Sequence, residues 1–417
     1  METVVSTPSF AEVLKATDYL EKPCVIPGFL GADAQDFLTY CHDTLRIIGD
    51  GNESESKQLQ VWIENQKNES FRDTVRSNPP DPNESIDGWA QRIFGSLKFG
   101  MIINDIQNYS TGLCQKMLEM VSPFFNVHGI PAGGFDMALF IGNYGFTPLG
   151  IHKDLNGGKV LTFHFGPGPK TMYLWDDETY KHLTGNRPNY QLGQSDPILE
   201  HASQIFTFEV GDFFFMPENI WHVGKSEEFS ISLTFWLNHY DQETIMDNLM
   251  KYVKKKLLRE PHKRLSSFKI STGVQIQPDK ELFVVQTQEE YQQASFEQFF
   301  QFLYRDYQYE MLSNGGFMTP PIKKQPVKIE AANYVTGIEP FKIYYKIKDS
   351  EHITLYVRGH QLDLPNQDAF PVFIEKINSG RKYRAEELIA PLLEEWSEDV
   401  GYYVLRLIYQ HQGIRIS

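Results

Sequence analysis

Cysteine is scarce. The three present, Cys24, Cys41 and Cys114, form no CxxC pair and no even-numbered framework. That excludes a disulfide-stapled secreted scaffold and points to a reducing compartment. Long apolar runs are missing as well: no stretch approaches the roughly 20 residues of a membrane span. The opening METVVSTPSFAEVLKATDYLEK carries acids and lacks the apolar core of a signal peptide. The expectation is a cytoplasmic protein with no membrane partner. Base is not in excess, the formal net charge being -15, which argues against a nucleic-acid partner, since such partners usually meet a basic face. There is no internal repeat and no collagen-like or disordered bias. Gly166-Pro167-Gly168-Pro169 precedes Lys170 without the GxxxxGK[ST] spacing, so it is no phosphate loop.

What is present is length and aromatic content. A chain of 417 residues with 41% hydrophobic residues, 30 Phe and 21 Tyr can bury a large interior and points to more than one domain. Ser9 to Thr17 reads as a short capped helix, Pro23 to Pro27 as a short buried strand and Ala32 to Ile48 as an amphipathic helix. Asp50 to Asp87, rich in Asn, Ser, Glu and Pro, reads as a long loop or lid with one strand at Leu59 to Ile63. Leu113 to Phe125 has helical spacing.

From Met137 to Leu237 short apolar or alternating runs are separated by Gly, Pro and Asn, which predicts an all-β segment of barrel or sandwich type. The runs are Met137 to Ile141, Val160 to Phe165, Thr171 to Trp175, Ile205 to Val210, Phe213 to Met216 and Ile231 to Leu237. Glu243 to Leu258 and Gln288 to Leu312 then read as long amphipathic helices able to supply a homodimer interface. Asn314-Gly315-Gly316 and Pro320-Pro321 mark a linker. Beyond it come strands at Phe341 to Ile347 and Ile353 to Val357, a turn at Gly359-His360, and helices at Ala369 to Ser379, Ala385 to Leu393 and Val400 to Gln412. The predicted division is 1–240, with a β core at about 137–240; 241–317, helical; and 318–417, a small winged-helix-like module. This module has as many acids as bases, so protein contact or peptide recruitment suits it better than reading DNA. Lys251, Lys254, Lys255, Lys256, Arg259, Lys263 and Arg264 form a basic stretch that reads first as a solvated helix face and second as a docking site for an acidic peptide or RNA.

The informative chemistry is in Gly150-Ile151-His152-Lys153-Asp154. An HxD pair leaving a strand sets an imidazole and a carboxylate on one side of a turned chain. Trp221-His222, after Gly211-Asp212 and Phe213-Phe214-Phe215-Met216-Pro217, supplies a third ligand from another strand. Two imidazoles and one carboxylate on one face leave coordination positions open, the facial triad of non-haem Fe(II) oxygenases. Those positions accept a bidentate 2-oxo acid and then dioxygen. An isolated HxD would instead be a loop histidine and a turn aspartate; the strand before it and the turn and second histidine after it favour the metal reading.

Taken together these motifs resemble the JmjC (cupin) class of oxygenases, and within it the protein-hydroxylase branch. Lys22 to Gly28 is similar to that family's entry strand, Phe140-Ile141-Gly142 through Thr147-Pro148 to His152 to its second core strand, Glu209 to Pro217 with Trp221-His222 to its GD…P…wH signature, and Ser230 to Trp236 to its closing strand. The resemblance covers roughly residues 15–240; the order of a helical middle and winged-helix-like end also resembles the family's ribosomal-protein hydroxylases. It implies a mainly β fold with flanking helices, a double-stranded β-helix (jelly roll) holding Fe(II) on His152, Asp154 and His222 with 2-oxoglutarate as co-substrate and O2 as oxidant. It further implies a basic residue for the distal carboxylate of 2-oxoglutarate on the strand after the HxD turn, where Lys170 stands; a solvent-facing strand-edge lysine is the bland alternative. Thr147 and Tyr144 are candidate hydroxyl donors to the same carboxylate, Thr162 and His164 share one strand face from which either can point inward, Thr234 stands where the family places an amide or hydroxyl near the metal, and Trp236 is expected beneath His222. HxD rather than HxE leans toward hydroxylation. The leading expectation is hydroxylation of a side chain in a protein or peptide. The rivals are hydroxylation of a free amino acid or other small molecule, a non-catalytic cupin-fold binding protein, and N-methyl demethylation.

Overall fold

In a computed structural model the described residues are 10–50, 58–154, 157–193, 196–257 and 295–417. The first part runs α1 (Phe10–Ala16), β1 (Cys24–Ile26), α2 (Asp33–Asp50), β2 (Leu59–Ile63), β3 (Gln66–Lys67), α3 (Glu69–Ser77), α4 (Ile86–Phe94), β4 (Phe99–Asn104) and α5 (Thr111–His128). Next come β5 (Phe135–Gly142), β6 (Gly145–Phe146), β7 (Gly158–Pro167), β8 (Lys170–Trp175), α6 (Asp177–Thr184), β9 (Gln204–Phe208), β10 (Phe213–Met216), β11 (Trp221–Ser226) and β12 (Ser230–Asn238). Two antiparallel sheets result, an eight-stranded one ordered β1-β10-β7-β12-β5-β4-β2-β3 and a four-stranded one ordered β6-β11-β8-β9.

Strand alternation explains how the large sheet is covered on both faces. Leu161, Phe163 and Phe165 of β7, Met137, Leu139 and Ile141 of β5, and Leu233, Phe235 and Leu237 of β12 enter one core with Phe37 and Leu45 of α2, Trp89 of α4 and Met117 of α5. The intervening residues, Thr162, Ala138, Phe140, Thr234 and Trp236, point the other way, toward the small sheet. The Phe213-Phe214-Phe215-Met216 run is continuously apolar because both its faces are buried, Phe213 and Phe215 against the helices and Phe214 and Met216 against the small sheet.

Two sequence expectations need correction. The supposed loop over Asp50 to Asp87 holds, besides the strand at Leu59–Ile63, β3, α3 and the start of α4; residues 51–57 lie outside the described residues. Its polar residues are caps: the Asn68 side chain accepts from Phe71 N and that of Ser85 from Gly88 N. Helix formation there carries Val75, Ile86 and Trp89 into the main core, so the described part of the segment is not a lid. The segment from Met137 to Leu237 also contains α6, which starts at the Asp176 cap and ends at left-handed Gly185 (φ 68°). Strand β4 is buried from Phe99 to Ile103 and shows no alternation.

The remainder comprises α7 (Gln242–Leu257), α8 (Phe296–Ser313), β13 (Tyr334–Gly337), β14 (Tyr344–Ile347), β15 (His352–Val357), β16 (His360–Pro365), α9 (Phe370–Asn378), β17 (Tyr383–Arg384), α10 (Ala385–Ile389), α11 (Glu398–Gln410) and β18 (Ile414–Ile416). Residues 288–294 of the predicted second long helix, and Arg259, Lys263 and Arg264 of the basic stretch, lie outside the described residues. A second core joins Val335, Leu355, Phe370, Phe373, Leu388, Val404 and Ile408. His360, expected in a turn, opens strand β16.

Arg358, at the β15–β16 turn, is 1% exposed. Its Nε donates to Asn314 Oδ1 at 3.0 Å, its Nη1 to Thr111 Oγ1 at 3.2 Å, and its guanidinium lies 3.5 Å from the Phe341 ring centre. Burial pushes its pKa down to about 10. It therefore ties the second core to α5 and to the segment after α8. Arg358→Ala would leave a cavity and orphan the Asn314 Oδ1, Thr111 keeping its bond to Gln412, and should lower stability by about 3 kcal/mol. Thermal unfolding measures this; an unchanged midpoint would show that the contact holds nothing together.

Candidate metal centre

His152 and His222 reach each other through backbone pairing. After β6, Gly150 adopts φ 71°, and a Cβ there would stand 2.5 Å from Tyr190 O; only glycine fits the turn. Ile151 then exchanges hydrogen bonds with Tyr190, and His152 with His222, at 3.1 and 2.9 Å. The two imidazole rings sit 4.5 Å apart at 51°.

Each ring has its Nδ1 committed. His152 Nδ1 lies 2.9 Å from Gly150 O and His222 Nδ1 3.0 Å from Ile220 O. A carbonyl only accepts, so each Nδ1 carries a proton and Nε2 is left as the ligand atom. Asp154 Oδ1 is 3.7 Å from His152 Nε2, while Trp236 Nε1 donates to Asp154 Oδ2 at 2.9 Å. The three residues offer ligand atoms within 4.8 Å of one another, the one such group among the described residues. Burial, then the neighbouring His152, holds the His222 pKa down at about 4, so this ring is neutral, the form that binds metal, well into the acid range. Two imidazole nitrogens and a carboxylate, each residue oriented by an outer partner, suit a divalent first-row ion.

Trp236, expected beneath His222, donates to the Asp154 carboxylate and fixes it. Trp236→Phe should weaken divalent-ion affinity by roughly 10–100-fold, the usual loss for an outer-shell partner. A Mn(II) titration tests this, and an unchanged affinity would mean the carboxylate needs no such support.

The triad lines a cavity of about 660 Å³ between the two sheets. Lys170, on β8, also lines it; the residue is 5% exposed, with Nζ 4.8 Å from the Phe140 ring centre. No carboxylate pairs with it among the described residues. Beside it stands Gly224, where a Cβ would lie 3.0 Å from Thr147 Oγ1, 3.2 Å from Met172 Sδ and 3.3 Å from Lys170 Cε. Glycine thus keeps open the space next to the ammonium group. A buried unpaired cation costs several kcal/mol, and an anion entering this space would offset that cost. The distal carboxylate of a dicarboxylic acid fits the requirement.

Of the other expected residues, Thr147, Thr162 and Thr234 line the same cavity. Thr147 Oγ1 donates to Gly224 O at 2.9 Å, and the Thr162 and Thr234 hydroxyls face each other at 3.5 Å. Two residues do not join them. His164 lies further along β7 with both nitrogens engaged, Nε2 with Gly168 O at 2.8 Å and Nδ1 with Ser232 Oγ at 2.9 Å. Burial lowers its pKa to about 4, and the neutral ring pins the turn that follows its own strand. Tyr144 lines a separate depression with Lys98, Lys225 and Glu227, and its hydroxyl accepts from Ser226 Oγ at 3.4 Å. Gly142, the last residue of β5, adopts φ 147°, so the chain leaves the strand before Tyr144 and the side chain is carried away from the cavity.

Gln60, Asn104, Phe140, Met172, Asn189 and Gly224 also line the cavity and were not singled out from the sequence. Gln60 within LQVWI and Asn104 within FGMIIN are polar positions in otherwise apolar strands, which was the available signal.

No protein-family model matches the chain, and no curated protein does. Among solved structures, one of YcfD from Escherichia coli covers 99% of each chain at 13% identity with a TM-score of 0.48. A structure of that ribosomal oxygenase with cobalt and 2-oxoglutarate covers 99% of each at 13% identity and TM-score 0.45. One with cobalt and succinic acid covers 99% of each at 12% identity and TM-score 0.46. Those ligands are that protein's, and similarity at this level assigns no residue role to this chain.

Proposed function

We propose that the chain is an Fe(II)- and 2-oxoglutarate-dependent dioxygenase that hydroxylates a side chain of a protein or peptide. The observation that carries this reading is the convergence of three oriented ligand atoms with an unpaired buried lysine in one cavity. In this reading the two β-sheets are a double-stranded β-helix of JmjC/cupin type within residues 1–240. Residues 241–317 supply a homodimer contact, and 318–417 form a winged-helix-like module that recruits the substrate protein.

His152, Asp154 and His222 would hold Fe(II) on one face, leaving the other side open to the cavity. When bound, the iron and 2-oxoglutarate supply the oxidation of a substrate C–H to C–OH, one atom of O2 entering the product and the other succinate, with CO2 released. The chain's own part is positioning and exclusion of water. Lys170, with Thr147 beside it, neutralises and orients the distal carboxylate, and Trp236 keeps Asp154 turned toward the histidines. Thr162 and Thr234 present hydroxyls on the wall of the large sheet.

The test is succinate formation from 2-oxoglutarate with Fe(II) and oxygen, with and without a complex peptide pool. Fe(II)-dependent succinate, increased by the pool, is the expected result. Absence of both turnover and 2-oxoglutarate binding would leave a non-catalytic cupin-fold binding protein.

A further inference from the structure

Resting on that reading, the geometry points to the substrate's reacting side chain being uncharged and polar, a carboxamide-type group held by Gln60 and Asn104. Both line the metal cavity from the large sheet. Asn104 on β4 pairs with Ala138, which pairs with Thr234, which pairs with Thr162. One cross-strand row thus runs from the hydroxyls beside the triad to an amide on β4. Gln60, on β2, pairs with Ile102, two residues before Asn104 on the same face. Between and around these amides lies an apolar surface of Trp62, Ile102 and Ala138, with Phe140, Leu149 and Trp236 against it. A short apolar stem with a hydrogen-bonding tip matches this wall.

Charge settles which tip. Neither amide has a side-chain hydrogen-bond partner among the described residues, so both are free to donate and accept. The cavity's one carboxylate among the described residues is Asp154, engaged by Trp236 and by its place in the triad. Of its two lysines, Lys153 pairs with Asp177 at 2.5 Å and Lys170 is taken up by 2-oxoglutarate in the proposed reading, so neither supplies a counter-charge for a cation. A guanidinium, an ammonium or a methylated ammonium would find no free carboxylate on this wall and would be desolvated without a partner. The wall therefore selects against cationic side chains, and with them against N-methyl demethylation.

The test uses the full chain loaded with Mn(II) and 2-oxoglutarate without oxygen. It is offered degenerate peptide pools fixed at the central position as Asn, Gln, Lys, Arg or dimethyl-lysine, and captured peptide is quantified by mass spectrometry. Binding of 2-oxoglutarate is measured separately, without peptide. The Asn and Gln pools should be captured about tenfold over the cationic ones. In the near-isosteric Gln60→Glu and Asn104→Asp that ratio should fall by about tenfold, because each supplies the missing carboxylate. Equal or better capture of Lys, Arg or dimethyl-lysine by the wild type, or a ratio unmoved in both variants, overturns the inference. If the wild type fails to bind 2-oxoglutarate with Mn(II), the oxygenase reading itself falls, and the separate measurement tells the two failures apart.

Discussion

His152→Ala and Asp154→Ala should each abolish Fe(II)-dependent succinate formation while leaving the protein folded. Both side chains stand at the cavity, partly exposed, and enter none of the hydrophobic cores, so their loss removes ligands without opening a packed interior. The drop should exceed the roughly 10–100-fold expected for an outer-shell partner such as Trp236, because a ligand atom itself is lost. The readout is paired: Mn(II) affinity by titration and succinate by mass spectrometry, against circular dichroism as the check on folding. Retention of wild-type turnover in either variant would place the metal elsewhere and sink the triad.

Lys170→Met carries the next largest expected effect and separates a binding lysine from a structural one. A hydrogen bond to a charged group contributes about 1.5–3 kcal/mol, so the KM for 2-oxoglutarate should rise by roughly 10–100-fold. Stability should move the other way. Without an anion the ammonium is buried and unpaired, and replacing it with an apolar chain of similar length removes a desolvation cost. The ligand-free midpoint of Lys170→Met should therefore equal or exceed that of the wild type, and added 2-oxoglutarate with Mn(II) should raise the wild-type midpoint more than the variant's. A lysine held for structure would give the opposite pattern, an unchanged KM and a lower midpoint.

Much of this was legible because local sequence carries it. The turn at Gly150, the HxD spacing and the Trp221-His222 pair after a continuous apolar strand are features of neighbouring residues, and the backbone bridge between His152 and His222 brings them together. Alternation along β5, β7 and β12 likewise separated the helix-facing Leu, Phe and Ile from the residues opposite them. The same local logic failed over Asp50 to Asp87. Asn and Ser read there as loop, yet Asn68 and Ser85 are helix caps, and a cap and a loop look alike until the following turn finds a core to pack on.

The sequence by itself determined the ligand types, their spacing and the strand faces, all properties of a few consecutive residues. Tertiary structure alone decided which polar residues share a space. Thr162 and His164 have the same parity on β7, but one opens on the cavity and the other is consumed by Ser232 and Gly168. Gln60 and Asn104 reach the metal's cavity because β2 and β4 extend the sheet beyond β5, an order unrelated to their place in the chain. Antiparallel pairing over long sequence separations sets register and neighbour together, and periodicity within one strand carries no record of which strand lies beside it.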